Sequence, residues 1–141
     1  HGDFHFENII YEKNLDHFTF LDWRQDFAGE IIYGDKYYDF AKLMHGLIVN
    51  HKIIFDNLFE AEWIDQNIKF NLKRKDELIN CEKFFVRWLE KNNYQIAKVY
   101  TLTALIYLNI AALHHYPYSI LLFGLGKSML FKSLKGENIN N

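Results

Sequence analysis

The chain has 141 residues, of which 50% are hydrophobic and 18% aromatic, so it can bury one sizeable core and forms one domain at most. Its formal net charge of −2 provides no basic field for nucleic acid or an anionic membrane, and we expect neither as a partner. The single cysteine, Cys81, excludes an internal disulfide framework, suits a reducing cytoplasm and is expected to be a buried thiol.

The first 34 residues carry the clearest chemical pattern. Asp3 is followed five residues later by Asn8, and Asp22 ends an apolar run. This layout is typical of two-metal phosphoryl-transfer sites. Mg²⁺ prefers oxygen ligands, so Asn8 and Asp22 are predicted to hold Mg²⁺ against nucleotide phosphates. Asp3 is predicted to orient and deprotonate an acceptor hydroxyl.

A β-hairpin is predicted to bring the two metal ligands together. Residues 7–11 and 17–21 are short apolar runs, and the polar segment 12–16 between them favours a turn. The hairpin would present Asn8 at its start and Asp22 at its end. Residues 23–34 are predicted to form a loop.

Helices are predicted to dominate the rest of the chain. Asp35 is the expected N-cap of a long helix reaching about Leu58, because apolar residues recur at three- and four-residue steps. Residues 61–72 alternate and predict a strand or an irregular excursion. Helices are expected at about 75–92 and 95–115, and Pro117 is expected to start a last helix to about Leu134, before an Asn-rich tail that frays. The predicted fold is mainly α with a short β-hairpin, divided into residues 1–34 and a helical subdomain over residues 35–135.

Two segments of this helical part suggest other functions. Thr101–Leu113 is the most apolar stretch, but its thirteen residues include Asn109 and are too few to span a membrane, which favours a buried core helix. The segment GLGKS at residues 124–128 lacks the first glycine of a phosphate-binding loop, which favours a helix with small residues for close packing.

Three blocks of the sequence resemble the aminoglycoside phosphotransferase and choline kinase superfamily. HGDFHFENII at residues 1–10 is similar to its catalytic loop, HGDLHxxNIL, and Leu21-Asp22-Trp23 is similar to its hydrophobic-Asp-Trp metal motif. GDKYYDFAKL at residues 34–43 resembles its third block, GDPxxDLAxL. The blocks have the family's order and spacing and cover about the first third of the chain.

The resemblance implies the C-terminal lobe of a protein-kinase-like fold, with Asp3 as catalytic base and Asn8 and Asp22 as metal ligands. It also implies that Asp39 braces the backbone of the catalytic loop from a helix and that His1 is a buried structural partner of that loop. His5 lies two residues after Asp3, where protein kinases often carry a phosphate-contacting Lys. It is therefore a candidate to contact the transferred phosphate of ATP, and a packing role is equally open.

The sequence departs from the family pattern in three respects. Arg24 follows Trp23 where the family often has an acidic residue, and Lys36 replaces the usual Pro of the third block. A kinase of this type also needs an N-terminal lobe with a phosphate-covering loop and a strand Lys. We therefore expect this chain to be the C-terminal portion of a longer protein, whose N-terminal lobe is its partner, and to be inactive alone.

The predicted function is an ATP- and Mg²⁺-dependent phosphotransferase that acts on a small-molecule hydroxyl, such as a sugar, an amino alcohol like choline, or an aminoglycoside. Trp63 and Trp88 could cage a quaternary ammonium, although core packing explains them as well. One alternative is a non-catalytic kinase-like module that binds a ligand or protein. A further alternative is a metallohydrolase, in which His1, His5 and His17 would bind Zn²⁺ near the two aspartates.

Overall fold

The computed structural model describes residues 1–136. In chain order the elements are β1 (Ile9–Glu12), β2 (His17–Phe20), α1 (Lys36–Ile48), α2 (His51–Phe55), β3 (Phe59–Ile64), β4 (Asn67–Leu72), α3 (Asp76–Lys91), α4 (Ile96–Ala111) and α5 (Tyr118–Lys135). About half of the chain is helical, as expected, but there are two small antiparallel hairpins rather than one. The fold is therefore mixed α and β. The predicted Asn-rich tail after Gly136 lies outside the described residues.

The first hairpin follows the prediction with a small shift of its start. β1 and β2 pair antiparallel, with Ile9 opposite Phe20 and Glu12 opposite His17. β1 begins at Ile9 because the preceding residues, Phe6–Asn8, form a single 3₁₀ turn. Nearly all side chains of both strands are exposed, so this hairpin is a surface feature whose role is to position its two ends.

Helix α1 begins where the sequence predicts and ends much earlier. The Asp35 carboxylate accepts a hydrogen bond from the backbone nitrogen of Tyr37 at 2.9 Å, which confirms the predicted N-cap. The predicted end near Leu58 is wrong. Val49 is extended, and Asn50 caps the separate short helix α2 by accepting from the Ile53 nitrogen. Phe55 continues the apolar spacing of the predicted long helix, which would place it on the core face. It lies instead at the end of α2 and is 86% exposed.

Residues 59–72 form the second hairpin, which the sequence left open between a strand and an irregular segment. β3 and β4 pair antiparallel from Phe59 opposite Leu72 to Ile64 opposite Asn67. The chain reverses at Asp65, whose φ of +52° lies in the left-handed region that Asp tolerates better than most residues.

Helices α4 and α5 form the centre of the core and approach each other closely at Gly126. A Cβ atom at this position would lie 3.0 Å from the backbone oxygen of Ala104, so a small residue is required there. Both glycines of the GLGKS segment are buried inside α5, which confirms the packing interpretation. The 101–113 segment falls mostly within α4, whose buried side chains include Val99, Thr103 and Tyr107. Across residues 1–136, no helix combines the length and apolarity needed to cross a membrane.

Helix α3 buries a carboxylate and exposes the cysteine. Glu82 is 6% exposed, and both its oxygens are paired: Arg74 donates to Oε2, and the Tyr100 hydroxyl donates to Oε1 at 3.1 Å. Pairing of this kind is what allows a charge to be buried. The prediction of a buried Cys81 is wrong, because Cys81 is exposed. The buried residues of α3 are Glu82, Phe85 and Leu89.

Candidate active site

Residues 1–8, here called the HGD loop, are attached to the first turn of α1. The backbone nitrogens of His1 and Gly2 donate to Oδ2 and Oδ1 of Asp39 at 2.9 and 2.8 Å. The His1 side chain is 4% exposed, accepts from the Asp3 nitrogen through Nδ1 at 3.2 Å, and stacks on Trp23 with 4.8 Å between ring centroids. Asp39 therefore binds the backbone at the start of the HGD loop, and the His1 side chain is buried within it.

The loop also lies directly against the segment that follows the hairpin. The Arg24 nitrogen donates to the His1 carbonyl at 3.0 Å. Gly2 has a φ of +84°, and a Cβ atom there would lie 2.6 Å from Cβ of Arg24. Only glycine satisfies both conditions. The Arg24 guanidinium lies over the ring of Tyr38, 5.1 Å from its centroid, so the unusual basic residue is held by an aromatic side chain.

Asn8 connects Asp3 to the end of the hairpin that leads to Asp22. Its side chain is almost fully buried, and Nδ2 donates to the backbone oxygen of Asp3 at 3.0 Å. Its own backbone oxygen accepts from the Leu21 nitrogen at 2.8 Å, which extends the hairpin ladder by one step, to the residue before Asp22. Asp22 is exposed and has a φ of +52°, a conformation that is uncommon for non-glycine residues and concentrates at functional sites.

The Asp3 carboxylate is paired with a lysine that the sequence analysis missed. Nζ of Lys42 lies 2.7 Å from Oδ1 of Asp3, and the two side chains are only 16% and 26% exposed. Burial raises the pKa of Asp3, but the hydrogen bond and charge of Lys42, with the charges of His5 and Arg24, outweigh it and lower that pKa below its ordinary value. Asp3 is therefore ionised at neutral pH.

His5 lies between two acidic side chains. Its Nε2 is 3.4 Å from Oδ2 of Asp3, and its Nδ1 is 2.6 Å from Oε2 of Glu7. The other Glu7 oxygen is 2.7 Å from Nδ1 of His51. Burial raises the pKa of Glu7, but its hydrogen bond to His5 and the charges of both histidines lower it overall. The position of His5 beside Asp3 is compatible with a phosphate contact, and its ion pairs also give it a structural role.

The donor atoms at the hairpin ends suit a hard cation. Since Nδ2 of Asn8 is used by the Asp3 carbonyl, the amide oxygen is the atom left to ligate a metal, and Asp22 adds a carboxylate oxygen. Amide and carboxylate oxygens are ligands that Mg²⁺ prefers. Within the part of the chain that the structure covers, no three His, Cys, Asp or Glu residues are grouped so that they could hold a metal. His17 lies apart on β2, opposite Glu12, so the metallohydrolase alternative gains no ligand set.

Comparisons with protein-family models, with curated proteins and with solved structures found no match. The resemblance to the phosphotransferase superfamily depends on the three sequence blocks.

An apolar cavity of about 490 Å³ lies behind the HGD loop rather than at its carboxylates. Its lining includes His1, Asp39 and Trp88, but not Asp3, Asn8 or Asp22. Trp63, the other tryptophan considered for a cation cage, stacks instead on Phe123 of α5. The two tryptophans therefore stack on different aromatic partners, and each is more than a third exposed.

Proposed function

We propose that this protein is an ATP-dependent phosphotransferase that moves the γ-phosphoryl group to the hydroxyl of a small molecule. The observation that carries the proposal is the double attachment of Asn8, which holds the Asp3 backbone through its side chain and the residue before Asp22 through its carbonyl. Asn8 thereby connects the backbone of Asp3 to the chain segment that contains Asp22. A phosphoryl-transfer site requires such positioning more than covalent chemistry.

In the proposed reaction the acceptor hydroxyl donates its proton to the Asp3 carboxylate as its oxygen bonds to the γ-phosphorus. The bond from that phosphorus to the bridging oxygen breaks, and ADP leaves with the bond's electron pair. The products are ADP and a phosphate monoester. Lys42, with the charges of His5 and Arg24, lowers the pKa of Asp3 against the effect of burial, and positioning of the hydroxyl compensates for the low basicity of this carboxylate.

Asn8 and Asp22 are the residues that would hold Mg²⁺, which neutralises phosphate charge when it is bound. The remaining contacts to ATP would come from the N-terminal lobe that the resemblance implies. His5, beside Asp3, is the candidate of this chain for contact with the transferred phosphate. Sugars, amino alcohols and aminoglycosides are the proposed acceptor classes.

The test uses the longest natural chain that contains these 141 residues. ADP release is followed with ATP, Mg²⁺ and a panel of choline, ethanolamine, hexoses and aminoglycosides. Asp3→Ala is expected to lower kcat by about 10²- to 10⁴-fold, the usual range for loss of a positioned base. Asp26→Ala, in the exposed loop that follows, is the matched control and should retain activity. Equal rates for the natural protein and Asp3→Ala would remove Asp3 from the reaction.

One outcome favours the non-catalytic alternative. If the natural protein binds ATP with Mg²⁺ in calorimetry but releases no ADP with any acceptor, the site is a ligand-binding module. Asp22→Asn should then weaken binding while leaving the fold intact, as judged by circular dichroism.

A further inference from the structure

Helix α1 directs two charged side chains toward the HGD loop. Asp39 and Lys42 are three residues apart, so they lie on the same face of the helix. Asp39 binds the backbone before Asp3, and Lys42 binds the Asp3 side chain itself. One rigid element therefore determines both the position of the residue and the direction of its carboxylate.

The two oxygens of Asp3 have different surroundings. Oδ1 is buried and forms an ion pair with Nζ of Lys42 at 2.7 Å. Oδ2 is 3.4 Å from Nε2 of His5, longer than the usual 2.7–3.2 Å range for a nitrogen donor. Oδ1 is thus occupied by a strong partner, whereas Oδ2 retains the capacity to accept a hydrogen bond.

We propose that Lys42 is a positioning residue of the candidate site: it holds Oδ1 of Asp3 so that Oδ2 receives the acceptor's proton. This inference rests on the proposed function and extends it to Lys42, which occupies a variable position of the third block. Without Lys42 the carboxylate can rotate about its Cβ–Cγ bond and no longer presents one oxygen to the acceptor. The pair is mostly shielded from solvent, so salt screens it less than an exposed ion pair.

The kinetic test compares Lys42→Met, which keeps the length and apolar stem, with Lys42→Arg, which keeps the charge and donors. Lys42→Met should lower kcat about 10- to 100-fold, the scale expected when a reacting group is misplaced by about an ångström. KM for ATP should stay within about 3-fold, because Lys42 acts through Asp3 and not on the nucleotide. Lys42→Arg should recover most of the loss. A raised KM for ATP with normal kcat would overturn the inference and assign Lys42 to phosphate binding.

A second measurement tests the pair without relying on turnover. Lysine amines are acetylated in the folded chain, and labelling at each residue is followed by mass spectrometry. Lys42 should react more slowly than Lys13, which is exposed in the turn of the first hairpin. Asp3→Asn should speed labelling of Lys42 several-fold and leave Lys13 unchanged. Unchanged labelling of Lys42 would show that the pair does not form in solution and would overturn the inference.

The two proposals fail in different ways. If the natural protein turns over, depends on Asp3 and tolerates Lys42→Met, the role of Lys42 is wrong and the proposed function stands. If no acceptor is phosphorylated, the proposed function is wrong, and with it the catalytic role of Lys42. The labelling result then still decides whether Lys42 fixes the Asp3 side chain.

Discussion

Oδ1 of Asp39 accepts a hydrogen bond from the backbone nitrogen of Gly2 at 2.8 Å, which joins the first turn of α1 to the residue before Asp3. The second oxygen of the same carboxylate accepts from the nitrogen of His1 at 2.9 Å. An irregular loop has no ladder of its own to satisfy its backbone donors, so a side chain on a neighbouring helix performs this task. This carboxylate therefore anchors the start of the HGD loop to α1.

Asp39→Ala should lower the free energy of unfolding by about 1–3 kcal/mol, because it leaves partly buried backbone donors without acceptors. Asp39→Asn should cost less, since one oxygen acceptor remains. The measurement is urea denaturation followed by circular dichroism. Glu90→Ala, at an exposed position of α3, is the control and should change stability by less than about 0.5 kcal/mol. Similar small effects for Asp39→Ala and Glu90→Ala would show that the bracing contact is dispensable.

Gly2 and Gly29 form a matched pair that separates backbone strain from steric overlap. Both have positive φ, +84° and +88°, but a Cβ atom at Gly2 would lie 2.6 Å from Arg24 whereas one at Gly29 has nothing within 4 Å. Gly29→Ala should cost about 1–2 kcal/mol for the left-handed conformation alone. Gly2→Ala should cost about 1–3 kcal/mol more, since Arg24 must move. Equal costs in urea denaturation would contradict the close approach of the two segments.

The sequence predicted features whose cause is local. Asp35 caps α1 with a bond to a residue two positions away, and α5 begins directly after Pro117. The first hairpin follows from the two short apolar runs and the polar segment between them. The end of α1 could not be predicted in this way, because apolar residues continue at helical spacing through the break. At that point the side chain of Asn50 caps the new helix α2 instead of continuing α1. The spacing of apolar residues contains no information about this cap.

Asn50→Ala should therefore lower stability by about 1 kcal/mol, the usual cost of losing an N-cap, because Oδ1 of Asn50 accepts from the Ile53 nitrogen at 3.0 Å. Asn50→Asp keeps an acceptor at the same position and should retain most of the stability. Thermal unfolding of the three proteins measures the difference. A gain in stability for Asn50→Ala would indicate that the chain can continue α1 as one helix, as the apolar pattern suggests.

The residues of the candidate site also differ in whether local sequence could identify them. Asp3, Asn8 and Asp22 could be selected because their residue types and spacing follow one another within the first 22 residues. Lys42 could not, because its relation to Asp3 exists only once α1 folds back against the HGD loop. Its three-residue spacing from Asp39 was the one available signal, and this spacing is common on any helix surface.

His45, one turn beyond Lys42 on α1, is buried without a hydrogen bond to either ring nitrogen. Burial lowers the pKa of His45 to about 4, and the nearby charges of Lys42, His5 and His51 act in the same direction against the opposing charge of Glu7. The ring packs against Tyr107, with 5.0 Å between centroids. An imidazole in this position is accommodated in its neutral form.

The fold should therefore lose stability as the pH falls from about 6.5 to about 4. In that window the unfolded chain protonates His45 and the folded chain does not, so the unfolded state binds more protons; above pH 6.5 this contribution is constant. The loss is on the order of 3 kcal/mol from the shift of the pKa alone.

His45→Phe, which keeps a ring against Tyr107, should flatten the pH dependence of the free energy of unfolding between these limits. His17→Phe on the exposed strand β2 should leave that dependence unchanged. The lowered pKa values of Asp3, Glu7 and Asp35 also reduce stability as the pH falls below about 5. Burial lowers the pKa of His114 in the same direction as that of His45. The diagnostic quantity is therefore the difference in slope between the natural protein and His45→Phe above about pH 5. A slope in His45→Phe equal to that of the natural protein would show that another group is responsible for the pH dependence.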